Sequence, residues 1–438
     1  MLDIKYIRDN QAKIREAIKN KNSNANLDQL LGLEEQRKKL IIQVEAFRSR
    51  RNEITEKLQK DKDETLIEES KKLKEQLNML ETEQKEIDSQ WKLALEQIPN
   101  IPTDDVPVGA DETENKVVRK VGSPHKFSFK VKDHMELGEG LDIIDMPRAA
   151  KVAGARFGYK KGGAAMLDQA LVQFVFRTLT DPVVIKKIAD SVGVSPKPFI
   201  PVLPPVMIKP DVYTRTGRLS AEDADEKYKM AKDELYLIGS AEHTLVAMHA
   251  DEILEEKTLP LRYIGFSTCF RREAGSYGRD TKGMLRVHQF DKLEMESFTT
   301  AETSRKEHDF LVAIQEYLMQ QLELPYQVVI NCTGDMGKPN ARQMDVETWL
   351  PGQDKYRETH SADYMTDYQA RRLNIKYRKA SGGTEFAHTN DATAIALSRT
   401  PIAIMENNQQ EDGSIVVPKV LQPYTGFDVI KKSNADVN

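Results

Sequence analysis

Two heptad repeats within residues 27–98 constrain the fold more than any other feature of the sequence. In the first repeat, the seam residues are Leu33, Arg37, Leu40, Val44, Phe47, Arg51, Ile54 and Leu58. In the second repeat, they are Leu66, Ser70, Leu73, Leu77, Leu80, Gln84, Ile87, Trp91 and Ala94. A period of 3.5 that is sustained twice predicts two long helices packed along a common seam. The short polar segment QKDKDET joins them, with Thr65 as the expected N-cap, so we expect an antiparallel coiled-coil hairpin roughly 45–50 Å long.

The hairpin is expected to end at the segment IPNIPTDDVPVG, where three prolines disfavour helix and mark a linker. We therefore place a first domain at residues 1–105 and a second at residues 106–438. From the residues alone, the hairpin is as compatible with a spacer or dimerisation arm as with a binding arm. Arg48, Arg50 and Arg51 near its distal end favour a negatively charged partner only weakly, because acidic residues of the second helix offset them.

The second domain has a mixed α/β pattern. The segments FIPVLPPVMIKP, LPLRYIGFSTCF, LRVHQFDKLEMESF and PYQVVINC are typical of strands, and residues 166–180 and 303–322 have helical spacing. Strands that follow one another without intervening helices favour an antiparallel sheet, so the expected class is α+β.

Composition excludes several classes of protein. The two cysteines, Cys269 and Cys332, are too few for a disulfide framework or a multi-cysteine zinc site, and they suit a reducing cytoplasm. No segment has the length of an apolar membrane span, and the polar start MLDIKYIRDNQAK predicts neither a signal nor a transit peptide. The net charge of −5 gives no global sign of nucleic-acid binding. The glycine-rich phosphate loops of the common nucleotide folds do not occur in the sequence.

The segment FRREAGSYGRDTKGMLRVHQFDKLE, residues 270–294, concentrates charge between two expected strands. In the second strand, we expect one face to carry Arg286, His288, Phe290, Lys292 and Glu294. The other face would carry the core residues Leu285, Val287, Leu293 and Met295. Cations, an aromatic ring and a carboxylate on one surface suit a nucleotide. A solvated face covered with ion pairs explains the same residues equally well.

This segment resembles motif 2 of the class II aminoacyl-tRNA synthetases, and most closely that of the seryl-tRNA synthetase family. The resemblance extends over nearly the whole chain, since VLPPVMIKPD is similar to motif 1, with Pro205 at its dimer interface. RETHSADYM and RTPIAIMENNQQ are similar to the later conserved blocks of the family. The ordered set of motifs implies an N-terminal tRNA-binding hairpin followed along the chain by a class II catalytic domain. That domain would be built on an antiparallel sheet flanked by helices.

The resemblance implies that serine and ATP form seryl-adenylate and that serine then passes to the 3′ end of tRNA(Ser). It leaves open whether tRNA(Sec) is also charged. It implies a cytoplasmic homodimer that binds tRNA across subunits, with no membrane partner. Arg271, Glu358 and Arg399 would be catalytic, and Glu358 and Ser361 would bind Mg²⁺. The implied ATP-binding residues are Arg271, Arg272, Glu273, Arg286, Val287, Phe290, Glu358, Thr359, His360, Ser361 and Arg399.

The implied serine-binding residues are Ser240, Ala241, Glu242, Arg271, Glu294, Asp391 and Thr393. The implied tRNA contacts are Arg48, Arg50 and Arg51 on the hairpin, and Arg279 and Lys282 in the motif 2 loop. Three positions depart from the family pattern: Ser240 replaces a usual threonine, Asp391 replaces a usual asparagine, and Pro401 interrupts a usually continuous helix. Proline is tolerated in a first helical turn, so we expect the motif 3 helix to begin later here.

Two other functions compete with this assignment. A relative that loads an amino acid onto a carrier protein would have no use for a tRNA-reading hairpin, which the sequence retains. A catalytically inactive relative would not need Arg271, Glu294, Glu358 and Arg399, which the sequence also retains.

Overall fold

The computed structural model describes residues 1–220, 224–273 and 283–432. The chain forms two compact units, Met1–Ile101 and Pro102–Asn438. The division falls inside the proline-rich segment that the sequence identifies as a linker.

The first unit is helical. Its helices are α1 Ile4–Asp9, α2 Gln11–Asn20, α3 Leu27–Lys60 and α4 Glu64–Gln97. Helices α3 and α4 have 34 residues each, which corresponds to about 51 Å of helix. They pack against each other along their length, so the coiled-coil hairpin is confirmed.

The predicted seam of the hairpin is buried or half-buried at every position except Arg51, which is exposed. The predicted N-cap of α4 is wrong. Asp63, not Thr65, caps the helix, because its carboxylate accepts hydrogen bonds from the main-chain N–H groups of Thr65 and Leu66. A carboxylate is an equally good cap and lies two residues earlier, so the helix begins at Glu64.

The second unit carries the other helices and the strands. Its helices are α5 His134–Gly140, α6 Met146–Ala153, α7 Gly162–Thr180, α8 Pro182–Val192, α9 Pro210–Arg215, α10 Glu242–Leu245, α11 Ala301–Gln321, α12 Tyr368–Leu373, α13 Thr400–Asn407 and α14 Gln422–Thr425. Its strands are β1 Lys116–Val121, β2 Ile144–Asp145, β3 Tyr159–Lys160, β4 Ile200–Val202, β5 Met207–Ile208, β6 Tyr236–Leu237, β7 Ile253–Glu255, β8 Leu261–Phe270, β9 Gln289–Thr299, β10 Tyr326–Ile330, β11 Arg342–Leu350, β12 Lys355–Thr366, β13 Lys376–Arg378, β14 Thr384–Phe386, β15 His388–Ala396, β16 Ile415–Val416 and β17 Val429–Ile430.

The main sheet has eight strands among the described residues, in the order β1-β10-β11-β12-β15-β9-β8-β4. Its strand pairs are antiparallel except for β4, which lies parallel to β8 at one edge. The predicted α+β class is confirmed, with a sheet that is mixed at this edge.

One face of the sheet forms the main hydrophobic core. Leu293 and Met295 of β9 and Ala392 of β15 are fully buried there. They belong to one cluster with apolar residues of α7, α8 and α11, such as Leu171 and Phe310. Because side chains alternate along a strand, the residues between these core positions project from the opposite face.

The strand predicted to begin at Leu285 begins at Gln289, because β8 ends at Phe270, which pairs with Gln289. Residues 285–288 pair with no strand in the described part of the chain, so the prediction of strand there is wrong. The predicted alternation of burial nevertheless holds, since Leu285 and Val287 are buried and Arg286 is half-buried.

Candidate active site

The face of the main sheet opposite the core is strongly polar in its central strands. Cross-strand register places the following residues on it: Gln343, Asp345 and Glu347 of β11, Glu358, Ser361 and Asp363 of β12, Asp391 and Thr393 of β15, and Lys292, Glu294 and Glu296 of β9. The sheet thus gathers on one surface groups that are far apart in the sequence.

A bulge in β12 places Glu358 on this face. Val346 pairs with His360 and Glu347 pairs with Glu358, so Thr359 is the extra residue. In a regular strand, Glu358 and Ser361 would project from opposite faces, because they are three residues apart. The bulge shifts the alternation by one residue and brings both onto the polar face.

Arg271 directly follows β8, at the edge of this face. Its Nε donates to the carbonyl of Gly239 at 3.1 Å, and its guanidinium carbon lies 5.3 Å from the ring centroid of Phe290. Its main-chain N–H donates to the carbonyl of His288. These contacts fix the side chain while Arg271 stays exposed, which suits an anionic ligand.

Glu273 and Arg286, both predicted to contact ATP, form an ion pair at 3.4 Å. Glu273 has a φ of 51°, an uncommon conformation for a residue other than glycine. Arg272 is exposed, and its main-chain N–H donates to the carbonyl of Glu226. Val287 is buried in the main core. The predicted tRNA contacts Arg279 and Lys282 lie outside the described residues.

Glu358 and Arg399 form a second charged cluster of the site. Nη1 of Arg399 lies 3.0 Å from the Glu358 carboxylate and donates to the Glu358 carbonyl at 2.9 Å. Partial desolvation alone would raise the pKa of Glu358, but Arg399 and Arg271 outweigh it and hold that pKa below its usual value. The carboxylate therefore stays ionised beside two arginines.

Helix α13 begins at Thr400, with Arg399 at its N-cap position and Pro401 in the first turn. The helix thus starts just after Arg399, and Pro401 lies in its first turn as expected, where its missing N–H costs nothing.

The side chains of Thr359 and His360 do not lie on the polar face. Thr359 Oγ1 donates to the carbonyl of Val346 at 3.1 Å, and His360 is almost fully buried. Burial lowers the pKa of His360 to about 4, so its ring is neutral. A role of these two residues in ATP binding stays a prediction, and it falls to the main chain rather than the side chains.

Arg218 organises the acidic half of the site. It pairs with Glu242 at 2.7 Å and Asp363 at 2.9 Å, and it lies 3.7 Å from Asp391. Burial alone would lower the pKa of Arg218, but the three carboxylates outweigh burial and hold this pKa well above its ordinary value. One guanidinium thus holds acids from α10, β12 and β15 together.

The predicted serine-binding residues lie around this group. Ser240, Ala241 and Glu242 are buried, and Ser240 Oγ accepts from the main-chain N–H of Glu242 at 3.2 Å. Glu294 is buried, pairs with Lys292 and stands directly opposite Thr393. Burial raises the pKa of Glu294, and Lys292 opposes that shift.

Three residues on or beside the polar face were not predicted from the sequence as members of the site. Asp363 lies on the same face as Ser361, and the two-residue period of RETHSAD would have indicated it. Glu296 continues the alternation of Lys292 and Glu294 in the same way. Arg218 follows α9 in an irregular segment, and no local pattern indicates its role.

The basic residues of the hairpin differ from one another. Arg48 pairs with Glu81 at 2.7 Å, and Arg50 pairs with Glu69 at 2.8 Å and Glu53 at 3.3 Å. Arg51 is exposed, and its guanidinium has no partner among the described residues. It is therefore the member of this group whose charge the hairpin itself leaves uncompensated.

Residues 1–220, 224–273 and 283–432 contain no helix that is long and apolar enough to cross a membrane. Clusters of three or more His, Cys, Asp or Glu side chains arranged to hold a metal were likewise not found in the part of the chain that the structure describes.

Comparisons with known proteins agree with this architecture. Residues 1–102 match the seryl-tRNA synthetase N-terminal domain, and residues 226–408 match the tRNA synthetase class II core domain (G, H, P, S and T). The serine–tRNA ligase of Symbiobacterium thermophilum is 40% identical over 99% of this chain and 100% of its own length. Among solved structures, seryl-tRNA synthetase from Pyrococcus horikoshii, complexed with ATP, has a TM-score of 0.88 and 38% identity over 99% of this chain and all of its own. The cytoplasmic serine–tRNA ligase of Naegleria fowleri, in complex with AMP, has a TM-score of 0.83 and 30% identity over 99% of both chains. The chain belongs to the seryl-tRNA synthetase family.

Proposed function

We propose that this protein activates serine with ATP, forming seryl-adenylate and pyrophosphate, and transfers the serine to tRNA(Ser). The observation that carries the proposal is the convergence of Arg271, Arg399 and Glu358 on the polar face that also holds the buried carboxylate Glu294. Cations for a polyphosphate and an acid for a small polar substrate thus share one surface. ATP as the co-substrate is supported by the ATP complex of the Pyrococcus relative.

Activation needs no protein nucleophile, because the serine carboxylate attacks the α-phosphorus directly. The protein holds both reactants in line and stabilises the charge that builds on phosphate oxygens. Arg271 would contact the α-phosphate and the serine carboxylate, since its guanidinium is exposed beyond its anchor at Gly239. Phe290, beside Arg271, would stack on the adenine ring, and the carboxylate of Glu273 would accept a hydrogen bond from the adenine amino group. Arg399 and Arg286 would hold the γ-phosphate.

Magnesium fits the residues present. Glu358 offers an ionised carboxylate that is half-exposed, and the bulge at Thr359 sets the Ser361 hydroxyl on the same face. Oxygen ligands from one carboxylate, a hydroxyl and ATP phosphates are the set that Mg²⁺ prefers. When bound, the ion would neutralise phosphate charge during activation.

Serine would be selected by Glu294 and Thr393, which stand opposite each other on neighbouring strands. A buried acceptor for the serine hydroxyl penalises alanine, which leaves that acceptor without its hydrogen bond. Ser240, Ala241 and Glu242 would close the other side of the pocket. Threonine would be excluded by the lack of room for its methyl group.

The coiled-coil hairpin would bind the backbone of tRNA(Ser) by shape and charge rather than by base sequence. Arg51 is the described hairpin arginine best placed for this contact, since Arg48 and Arg50 are held in ion pairs. We further propose a cytoplasmic homodimer in which the hairpin of one subunit serves tRNA on the other, with Pro205 at the subunit contact. Charging of tRNA(Sec) is part of the same proposal.

The test is amino-acid-dependent exchange of pyrophosphate into ATP, measured with each standard amino acid, followed by aminoacylation of tRNA(Ser). We expect exchange with serine alone and charging of tRNA(Ser). Exchange without any tRNA charging would favour the carrier-protein alternative, and no exchange with any amino acid would favour an inactive relative.

A further inference from the structure

Glu296 is a buried carboxyl group that lacks the partners such a group normally has. It lies on β9, two residues beyond Glu294, and its solvent exposure is 0%. Among the described residues, neither of its carboxyl oxygens has a hydrogen-bond partner. A buried carboxylate left in this state costs several kcal/mol, so buried acids are usually paired, hydrogen-bonded or protonated.

The register of the sheet points Glu296 at Asp391. The two residues are directly opposite on β9 and β15, on the polar face. Cβ atoms of directly opposite residues lie about 4.5–5.5 Å apart, so the two carboxyl groups are within reach of each other. Oδ1 of Asp391 also lacks a hydrogen-bond partner in the described chain, since its 3.7 Å approach to Arg218 is too long for one. Two carboxylates cannot bond to each other, but a carboxylic acid can donate to a carboxylate.

The cations around this pair are already engaged. The charged groups that face it are Arg218 beyond α9, Glu242 on α10, Asp363 on β12, and Lys292 and Glu294 on β9. Tyr263 stands opposite Glu296 on β8, and its hydroxyl is hydrogen-bonded to His249 at 2.9 Å. Arg218 bonds directly to Glu242 and Asp363 and approaches Asp391 only to 3.7 Å, and Lys292 pairs with Glu294. Acidic groups therefore outnumber the cations near Glu296, and its own hydroxyl is the donor that geometry leaves for Asp391.

The electrostatic surroundings agree with this geometry. Burial raises the pKa of Glu296 well above its ordinary value, and Glu242 and Glu294 add to that shift while Arg218 opposes it. The pKa of Asp391 is raised by burial, Glu242 and Asp363, again against Arg218. One proton held between two such groups is the usual outcome for close carboxyl pairs.

We propose that Glu296 carries a proton at neutral pH and donates it in a hydrogen bond to Asp391, so that the two carboxyls act as one singly charged unit. Glu296 is then a positioning residue: it fixes the orientation of Asp391 in the amino-acid pocket. This pocket assignment rests on the proposed function. The shared proton lets this pocket hold two opposite carboxyl groups without placing a second negative charge there.

The proton on Glu296 is tested by measuring how the Tm depends on pH, an experiment that needs no substrate. A raised folded-state pKa means that the folded protein binds more protons than the unfolded one, so wild-type stability falls as pH rises above the ordinary value of 4.5. Glu296→Gln has no proton to lose and keeps an N–H donor for Asp391. We expect the Tm difference between this variant and the wild type to move in favour of Glu296→Gln as pH rises from about 5 to 9.

Glu307→Gln is the matched control. Glu307 is as buried as Glu296, but it pairs with Arg262 through two bonds of 2.6 and 2.7 Å. The same chemical change breaks that pair, so we expect a lower Tm at every pH. The proposal is overturned if Glu296→Gln also loses stability at every pH, or if its Tm follows the wild type in parallel. A carboxylic-acid band in the infrared spectrum at neutral pH should weaken in Glu296→Gln and not in Glu307→Gln.

The positioning role is tested by the KM for serine. We expect Glu296→Leu to raise this KM about tenfold with little change in kcat, as the loss of one hydrogen bond to a charged group implies. Adding Asp391→Asn should restore it, because asparagine needs no shared proton, and Glu296→Gln alone should stay near the wild type. An unchanged KM in Glu296→Leu would overturn the positioning role. If the wild type shows no serine-dependent exchange, the proposed function fails, and the stability curves still decide the shared proton.

Discussion

Arg399 binds Glu358 at two points, since one guanidinium nitrogen lies 3.0 Å from its carboxylate and donates to its carbonyl oxygen at 2.9 Å. The two residues are 41 positions apart and meet because β12 and β15 are neighbours in the sheet. A phosphate that binds Arg399 would remove the cation that now pairs with the Glu358 carboxylate. Phosphate and a divalent ion should therefore enter together, since each then satisfies one member of the pair.

We expect Glu358→Gln to raise the magnesium concentration that half-maximal pyrophosphate exchange requires. The change removes the ionised oxygen ligand and leaves the side chain's shape almost unaltered. Glu316→Gln is the control, because Glu316 is also paired with an arginine, Arg119, but lies on α11. An identical magnesium dependence in Glu358→Gln and the wild type would remove Glu358 from the metal site.

Arg271→Ala should lower the rate of serine-dependent exchange by a factor on the order of 10²–10³, the usual cost of losing one donor to transition-state charge. The fold should survive, because Arg271 is exposed and its one side-chain hydrogen bond among the described residues is to the carbonyl of Gly239. The measurements are exchange kinetics and a Tm on the same preparation. Near-normal exchange in a folded variant would show that another residue holds the α-phosphate.

Glu294→Ala should reduce the preference for serine over alanine, because the buried acceptor of the serine hydroxyl disappears. The ratio of kcat/KM for the two amino acids is the quantity to compare. Asp391→Asn is the companion variant, and we expect it to change that ratio only modestly. Unchanged discrimination in Glu294→Ala would mean that a different group reads the hydroxyl.

The sequence predicted most where the determining pattern is local. Heptads specify the hairpin because each seam residue contacts near neighbours on one partner helix. The start of β9 was placed four residues too early, because Leu285 and Val287 alternate in burial like strand residues while lying beyond the last partner of β8. Strand ends depend on a partner that is remote in sequence, and periodicity does not reveal where that partner stops.

The site residues were likewise predictable where a local motif indicates them and not where their role depends on remote contacts. Glu294 and Arg271 were identified through their resemblance to a family motif. Arg218 was missed, because its importance comes from contacts with Glu242 and Asp363, which are 24 and 145 residues away. The Glu296–Asp391 pair also needed the strand register, which the sequence alone does not give.

Asp105 should make stability depend on acid. It pairs with Arg305 of α11 at 2.8 Å and Arg342 of β11 at 3.0 Å. Burial alone would raise the pKa of Asp105, but these arginines and Thr103 lower it to about 2. A lowered folded-state pKa gives stability that is present above 3.8 and is lost as pH falls toward 2.

Asp105→Asn should therefore be less stable than the wild type at pH 7, by about 1 kcal/mol, because this carboxylate is partly exposed and screened by solvent. The difference should shrink as pH falls through the window below 3.8. Denaturant unfolding at several pH values measures it. Asp104→Asn, at the exposed neighbouring acid, should match the wild type throughout. A stability difference for Asp105→Asn that is independent of pH would show that the loss is not electrostatic.

The hairpin and the catalytic unit should be separable in function. α3 and α4 carry their own seam and belong to the unit Met1–Ile101, whereas every residue proposed for adenylate formation lies in Pro102–Asn438. A flexible linker in place of residues 27–98 should leave serine-dependent exchange near normal and reduce tRNA charging strongly, because the backbone contacts to tRNA are lost. Arg51→Glu should raise the KM for tRNA more than Arg48→Glu does, and it should reduce the salt dependence of tRNA binding more. The reason is that the charge of Arg48 is already neutralised by its ion pair with Glu81. Both activities are measured on each preparation. If charging survives the deletion, the hairpin is a spacer; if exchange is lost as well, the catalytic unit depends on the hairpin for its fold.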